Sequence, residues 1–448
     1  MNPVIASNSS KLTNLYFIPI TMLLFGIGLV IRLINLDVID QEVFDEVHYI
    51  KFAESYLSGL TVNDGHPPLG KYLIMLGIII LGHNFWGYRI FTALFGALIT
   101  LQIIGLSWNI SKDKTTALIS GTLFVSSGIF IVDSRFALTN IFLVSTGLSS
   151  LIFYISGINS TEQNRHKLIK FICSGCLLGA SAAVKWSGLG YWLTILVLTI
   201  IGLISKRVYK DKTGNLSKLI NISKIEIFLL LIVAPVLFYI LVWIPHIILN
   251  PIESFSGLPN LDYFLYYFWE FQKNIVRINT SSNVLDHSHP YISPPLCWIF
   301  LARPVGFFFK QVDSLFIVVQ ELGNPILWWS STASVVMLIV RLLYQLSLPR
   351  VIIIVGFLSN YLPWFLVKRD LFVYHYMPSL LFALLSLSLI ISETVADRKW
   401  QSYLVVTLLV STIIASMIFF MPIWLGLPLT PEQFYQRMWI KDGLFNWI

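Results

Sequence analysis

Between Phe44 and Lys71 the chain reads FDEVHYIKFAESYLSGLTVNDGHPPLGK, placing Asp45, Glu46, Glu54, Asp64, His48, His66, Lys51 and Lys71 within 28 residues. Only 12% of the protein is charged, so this crowding between two apolar runs calls for a reason. Carboxylates beside imidazoles suit proton transfer: an ionised aspartate at the water–lipid boundary can take the proton from an attacking hydroxyl. Asp45 also stands where a helix would begin, the place of a plain N-cap, and the two roles are compatible. Tyr49, Phe52, Ala53, Tyr56 and Leu57 recur at helical spacing, which predicts a helix lying along the bilayer surface on that apolar face.

Further ionisable residues stand at the ends of apolar runs: Arg89, Asp133, Arg135, Lys185, Lys368, Arg369, Asp370 and His375. Each has a bland reading beside a chemical one. Arg89 and Arg135 are placed either for ion pairs with nearby acids or for an anionic ligand. Lys185-Trp186 suits a snorkelling anchor with its belt tryptophan, and Tyr374-His375-Tyr376 an interfacial aromatic cluster. His287-x-His289 brings two imidazoles together with only Asp286 nearby, a weak metal pattern, and neither a metal nor a cofactor is expected.

The elements that must position these residues are membrane spans. Of 448 residues 56% are hydrophobic, and mean hydropathy is +0.76, the composition of a polytopic membrane protein. Apolar runs near 15–36, 88–107, 115–132, 138–157, 169–184, 187–204, 225–249, 326–344, 351–367, 376–392 and 401–420 give eleven spans in an all-α fold. Tyr72–Gly82 is too short to cross and reads as juxtamembrane or re-entrant. The formal charge of +7 reflects short basic loops, not nucleic-acid binding. With the N-terminus in the cytoplasm, the inner segments hold sixteen bases and six acids, net +10. The remaining fourteen bases and seventeen acids give −3 outside, as the positive-inside rule requires. The chain is then a single membrane domain, 1–448. Its outer parts are a first loop at 37–87 with juxtamembrane helices, a large loop at 250–325, and a C-terminal tail at 421–448. The large loop holds an aromatic surface helix around DYFLYYFWEFQ, and Thr430-Pro431-Glu432-Gln433 marks a helix start in the tail.

Phe44-Asp45-Glu46 with Asp64-x-His66-Pro67-Pro68-Leu69-x-Lys71 resembles the first outer loop of the protein O-mannosyltransferases. Six later stretches resemble successive motifs of bacterial members in the same order: YRIFTALFGAL with Arg89, Asp133-x-Arg135-Phe136-Ala137-Leu138-Thr139, Lys185-Trp186-x-Gly188-Leu189, His289-Pro290-Tyr291-x-Ser293-x-Pro295, Arg303-Pro304, and Tyr374-His375-Tyr376-x-Pro378. The resemblance implies a GT-C type membrane fold in the plasma membrane, with Asp45 as catalytic base and Glu46, Asp64, His66 and Arg89 at the site. It further implies a polyprenyl-phosphate-linked mannose, or a related hexose, as donor and a Ser or Thr of an exported protein as acceptor, with inversion at the sugar. For the leaving phosphate the candidate cations are Arg89, Arg135, Lys185 and Arg303, with His66 or His375 as hydrogen-bond donors. His289 and Tyr376 lie in matched motifs and join the substrate-binding set. Eukaryotic members carry a sugar-lectin-like domain in the loop between the seventh and eighth spans, and here that loop is too short for one. Two rivals are a lipid or glycan acceptor for the same fold, and a transporter. Transporters gather their charges near the midplane and often show inverted repeats, whereas here the charges collect at one face and no repeat is found.

Overall fold

A computed structural model describes residues 3–160, 165–209, 216–250, 260–280, 289–441, 443 and 445–448. Chain order begins with α1 (Pro3–Leu33), followed by the first loop with α2 (Glu46–Leu57) and α3 (Leu69–Leu81). Then come α4 (Phe85–Ser111), α5 (Lys114–Val125), α6 (Gly128–Asp133), α7 (Asn140–Ile158), α8 (Arg165–Val184) and α9 (Leu189–Tyr209). A single helical traverse follows, α10 (Lys224–Phe228), a π-turn at Leu229–Val233 and α11 (Ala234–Leu249).

The large loop carries α12 (Leu261–Thr280), the short α13 (Pro295–Trp298), and a hairpin of β1 (Val305–Val312) and β2 (Leu315–Glu321). Four more helices, α14 (Pro325–Tyr344), α15 (Leu348–Tyr361), α16 (Met377–Ala396) and α17 (Trp400–Leu425), lead to β3 (Pro428–Leu429) and α18 (Pro431–Tyr435). As the sequence predicts, Thr430 caps α18, its side chain accepting from Gln433 N while Gln433 answers at the Thr430 amide.

Among the described residues ten helical stretches are long and apolar enough to cross a membrane. The eleventh expected span is made in two pieces, because the chain leaves the helix at Ser126–Ser127 between α5 and α6. It nonetheless runs from one end of the bundle to the other. At its start Asp113 accepts from Ser392 Oγ at 2.8 Å, beside the ion pairs of Glu393 with Arg341 and Arg350. At its finish Asp133 accepts from Asn140, which in turn receives Lys185. The two groups of charge thus occupy opposite ends. With 13 residues α3 reaches about 20 Å, short of a ~30 Å hydrocarbon core. It packs tightly on α4 instead: a Cβ at Gly77 would sit 2.2 Å from Gly87 O, so only glycine admits this approach.

The sheet, order β1-β2-β3, is an addition to the helical fold that the sequence reading did not foresee. Asp313, at φ +52°, opens the two-residue turn between β1 and β2, where Val312 pairs with Leu315. The first half of β2 is partly exposed and its last four residues, Val318–Glu321, are buried against α6 and α17.

Candidate active site

Asp45 occupies the N-cap position of α2, yet its side chain makes no capping bond. Among the described residues nothing donates a hydrogen bond to this carboxylate, so it is not a cap in the ordinary sense. It is aimed by backbone geometry. Phe44 is in the left-handed region at φ +50°, costly for a side chain of this size. Its ring stacks on Phe307 of β1 at 5.1 Å and meets Phe372, Tyr374 and His289 edge-on. Burial raises the Asp45 carboxyl above the usual aspartate range, opposed by the positive charges of Lys185, His48 and Arg369.

Glu46 faces the other way. It is fully buried and accepts Arg89 Nε and Nη2, both at 2.8 Å, together with the amides of Val43 and Ala137. The remaining N–H groups of Arg89 go to the carbonyls of Leu36, Ile39 and Gln41. Arg135 Nη1 donates to the carbonyls of Ile31, Arg32 and Ile34, and Nη2 to that of Asn35. Both arginines, expected at an anionic ligand, are therefore turned onto the last turn of α1 and the irregular backbone after it. An irregular segment at membrane depth needs such donors.

Asp64 and Lys71 pair at 2.6 Å, and Lys71 also donates to His66 O. Burial alone would raise the Asp64 carboxyl, but the Lys71 ammonium holds it below its usual range. This clamp sets His66 at a cavity mouth, where burial and then the charge of Lys185 push its imidazole down to about 3, leaving it neutral. Lys185 lies across the mouth, its ammonium 2.8 Å from Asn140 Oδ1 and over the rings of Tyr49 and Tyr374. His375 is fixed on the same rim between Trp364 and Trp298, with Arg369 Nη2 3.3 Å from its Nε2.

Below that rim a cavity of about 1230 Å³ runs between α8, α9, α11 and α15. Its walls are apolar, with Leu178, Leu193, Ile232, Val236 and Ile240 among them, and α12 covers one side through Phe268 and Val276. A bond from Tyr239 Oη to Gln272 holds that cover. An apolar chamber closing on His66, Lys185, Lys368, Arg369 and His375 can hold a lipid whose head is anionic.

The remaining expected residues, His289, Arg303 and Tyr376, do not line this chamber. His289 sits on the aromatic cluster with Phe44; its neighbour His287 falls outside the described residues. Arg303 donates to Pro290 O and so braces the His289 loop. Tyr376 is buried in a cluster with Trp298, Trp328, Phe357 and Tyr361, away from the cavity lining. Two residues here, Asn140 and Glu321, escaped the sequence reading, and Arg369 is among its span-end candidates without being assigned to the substrate. Only Arg369, in the KRD run after α15, left a signal.

A family model described as dolichyl-phosphate-mannose-protein mannosyltransferase matches residues 22–249, and one for the C-terminal four-span region of protein-O-mannosyltransferase matches 264–442. The polyprenol-phosphate-mannose–protein mannosyltransferase of Mycolicibacterium smegmatis is 24% identical, covering 89% of this chain and 87% of that one. Dolichyl-phosphate-mannose–protein mannosyltransferase 1 of Saccharomyces cerevisiae is 26% identical over 40% of this chain and 23% of its own length. Among solved structures, the S. cerevisiae Pmt1-Pmt2 complex bound to the sugar donor aligns over 96% of this chain and 94% of that chain. Its TM-score is 0.80 at 17% identity. ArnT of Cupriavidus metallidurans bound to undecaprenyl phosphate aligns over 84% and 60% at a TM-score of 0.52, with 14% identity. Motif order, ten span-length apolar helices among the described residues, the charged rim over an apolar chamber and a family match running from the first span into the tail agree: the chain belongs to the protein O-mannosyltransferase family.

Proposed function

We propose that this protein transfers mannose from a polyprenyl monophosphate to a Ser or Thr hydroxyl of an exported protein. The observation that carries the reading is the chamber itself, apolar along the spans and ringed by nitrogen-bearing side chains where it ends. In this reading Asp45 takes the proton of the acceptor hydroxyl, whose oxygen attacks the anomeric carbon from the face opposite the phosphate. As the C–O bond to phosphate breaks, the electron pair leaves on the lipid phosphate and configuration inverts. Lys185 and Arg369 offset the growing negative charge, and His66 donates a hydrogen bond to it, whereas His375, expected as an alternative donor, accepts from Arg369 at Nε2 and faces Phe372 O with Nδ1, so that it positions the guanidinium instead. Glu46, Arg89, Arg135, Asp64 and Lys71 act through the backbone they hold.

The names of the mycobacterial relatives, with donor and acceptor in them, support this choice of substrates. The test is reconstitution in lipid with polyprenyl-phosphate mannose and either a Ser/Thr-rich peptide or a lipid acceptor, the product being identified by mass. Mannosyl peptide is the expected product; mannosyl lipid in its place would overturn the acceptor assignment.

Tryptophan at Leu193 or Val236 should obstruct the chamber and raise KM about 10-fold or more for a long-chain donor. Its effect on a donor with one or two isoprene units should be small, and equal losses for both would place the carrier elsewhere.

Orientation follows from the charge split and from the gathering of site residues at one end of the bundle. In the plasma membrane the N-terminus would be cytoplasmic and the C-terminus outside. A cysteine at Lys218 should then resist a membrane-impermeant thiol reagent in intact cells while one at Asn260 reacts. The reverse pattern would turn the site to the cytoplasm.

A further inference from the structure

Glu321 ends β2 with no exposed surface, and among the described residues neither of its carboxyl oxygens receives a hydrogen bond. It lies within hydrogen-bonding reach of Asp133, which is also fully buried. Asp133 Oδ2 accepts from Asn140 Nδ2 at 2.7 Å, whereas Oδ1 has no donor among the described residues. Asn140 is oriented by its two neighbours: its amide nitrogen serves Asp133, so its carbonyl oxygen faces Lys185 Nζ at 2.8 Å. The charged groups facing Glu321 are Asp133, Asp45 and Lys185.

Two buried carboxyl groups in contact, with no donor between them, cannot both be ionised, and a single shared proton supplies the missing bond. Asp133 has the Asn140 amide and the nearby ammonium to favour its anion, while Glu321 has no hydrogen-bond donor. The proton therefore belongs on Glu321.

We infer that Glu321 is a positioning residue: held as the neutral acid, it donates to Asp133 Oδ1 and completes a relay, Glu321–Asp133–Asn140–Lys185, that fixes the ammonium at the chamber mouth. Burial, then the charges of Asp133 and Asp45, push its carboxyl well above the usual range. Neutral Glu321 adds no further negative charge to Asp45 and Asp133 beside the Lys185 ammonium. An ionised Glu321 would place a third negative charge beside the base and in the field met by an incoming phosphate. The β-hairpin acquires a purpose from this, since its inner strand delivers the acid into the bundle.

The relay rests on the reading of Lys185 as a phosphate partner, and two measurements separate the claims. Difference infrared spectroscopy of the parent against Glu321→Gln at neutral pH should show the C=O stretch of a protonated carboxylic acid in the parent alone. No such band would overturn the neutral acid, whatever the function. For donor binding, Glu321→Gln keeps an N–H toward Asp133 and should stay within about 3-fold of the parent. Glu321→Leu should weaken affinity about 10-fold or more, with kcat changed less. In a Lys185→Met background Glu321→Leu should cost nothing further. Equal losses for Gln and Leu, or additive losses over Lys185→Met, would remove the positioning role even if Glu321→Leu folds poorly. A Lys185→Met variant that binds donor normally would overturn the phosphate assignment and the relay's purpose with it, leaving only the shared proton to the infrared band.

Discussion

Asp45→Asn is expected to cut turnover by about 100-fold or more while donor affinity and thermal stability stay near those of the parent. The substitution preserves size and, at a cap, would preserve function, since asparagine caps about as well as aspartate. Here the side chain makes no capping bond, so the change removes basicity and little else. The raised carboxyl adds a second signature. A base works only when ionised, so kcat/KM should fall as pH drops through a value above the ordinary aspartate range, stability being a separate matter. That acid limb should be absent from the residual activity of the Asn variant. Near-parental turnover in Asp45→Asn would end its assignment as the base.

Arg89→Ala carries the largest expected effect on the fold. It leaves Glu46 buried without its cation and three carbonyls without donors, a loss of about 3–5 kcal/mol by analogy with broken buried ion pairs. Thermal unfolding in detergent without donor would register it, whereas a residue that only grips phosphate would show no change there. Arg89→Lys should recover little, because an ammonium cannot meet five acceptors arranged around a planar fork. The double variant Arg89→Met with Glu46→Leu should recover a good part, as no buried charge is left unpaired. Stability of Arg89→Ala equal to the parent would return this arginine to the ligand.

The crowding of ionisable residues at 44–71 and at span ends is legible in sequence because charge beside lipid is costly and therefore conspicuous. What each charge touches is not. Arg89 and Arg135 satisfy carbonyls of residues 31–41, and a carbonyl belongs to every residue type, so nothing in the string marks those partners. Either role, ion pair or anion site, fits an arginine at a span end; only the directions of its N–H groups decide. The hairpin did leave a trace, β-branched and aromatic residues on both sides of Asp313-Ser314. Glu321 left none, a lone acid in an apolar run whose partner lies 188 positions earlier.

The knot that Arg89 and Arg135 tie around the segment after α1 also sets a timetable for synthesis. Asp45 leaves the ribosome first, Arg89 and Arg135 follow, and Arg369 comes 324 residues after Asp45. At 5–20 residues per second that interval lasts roughly 15–65 s. Until α4 arrives Glu46 has no cation, and in the relay proposed above Asp133 Oδ1 has no donor until β2 arrives. The first loop must wait in water, and Asp37, Asp40, Glu42, Asp45 and Glu46 keep it there. On this reading the acids from Asp37 to Glu46 serve the nascent chain before Asp45 serves the enzyme, and a fragment that stops short of the hairpin is expected to be inactive.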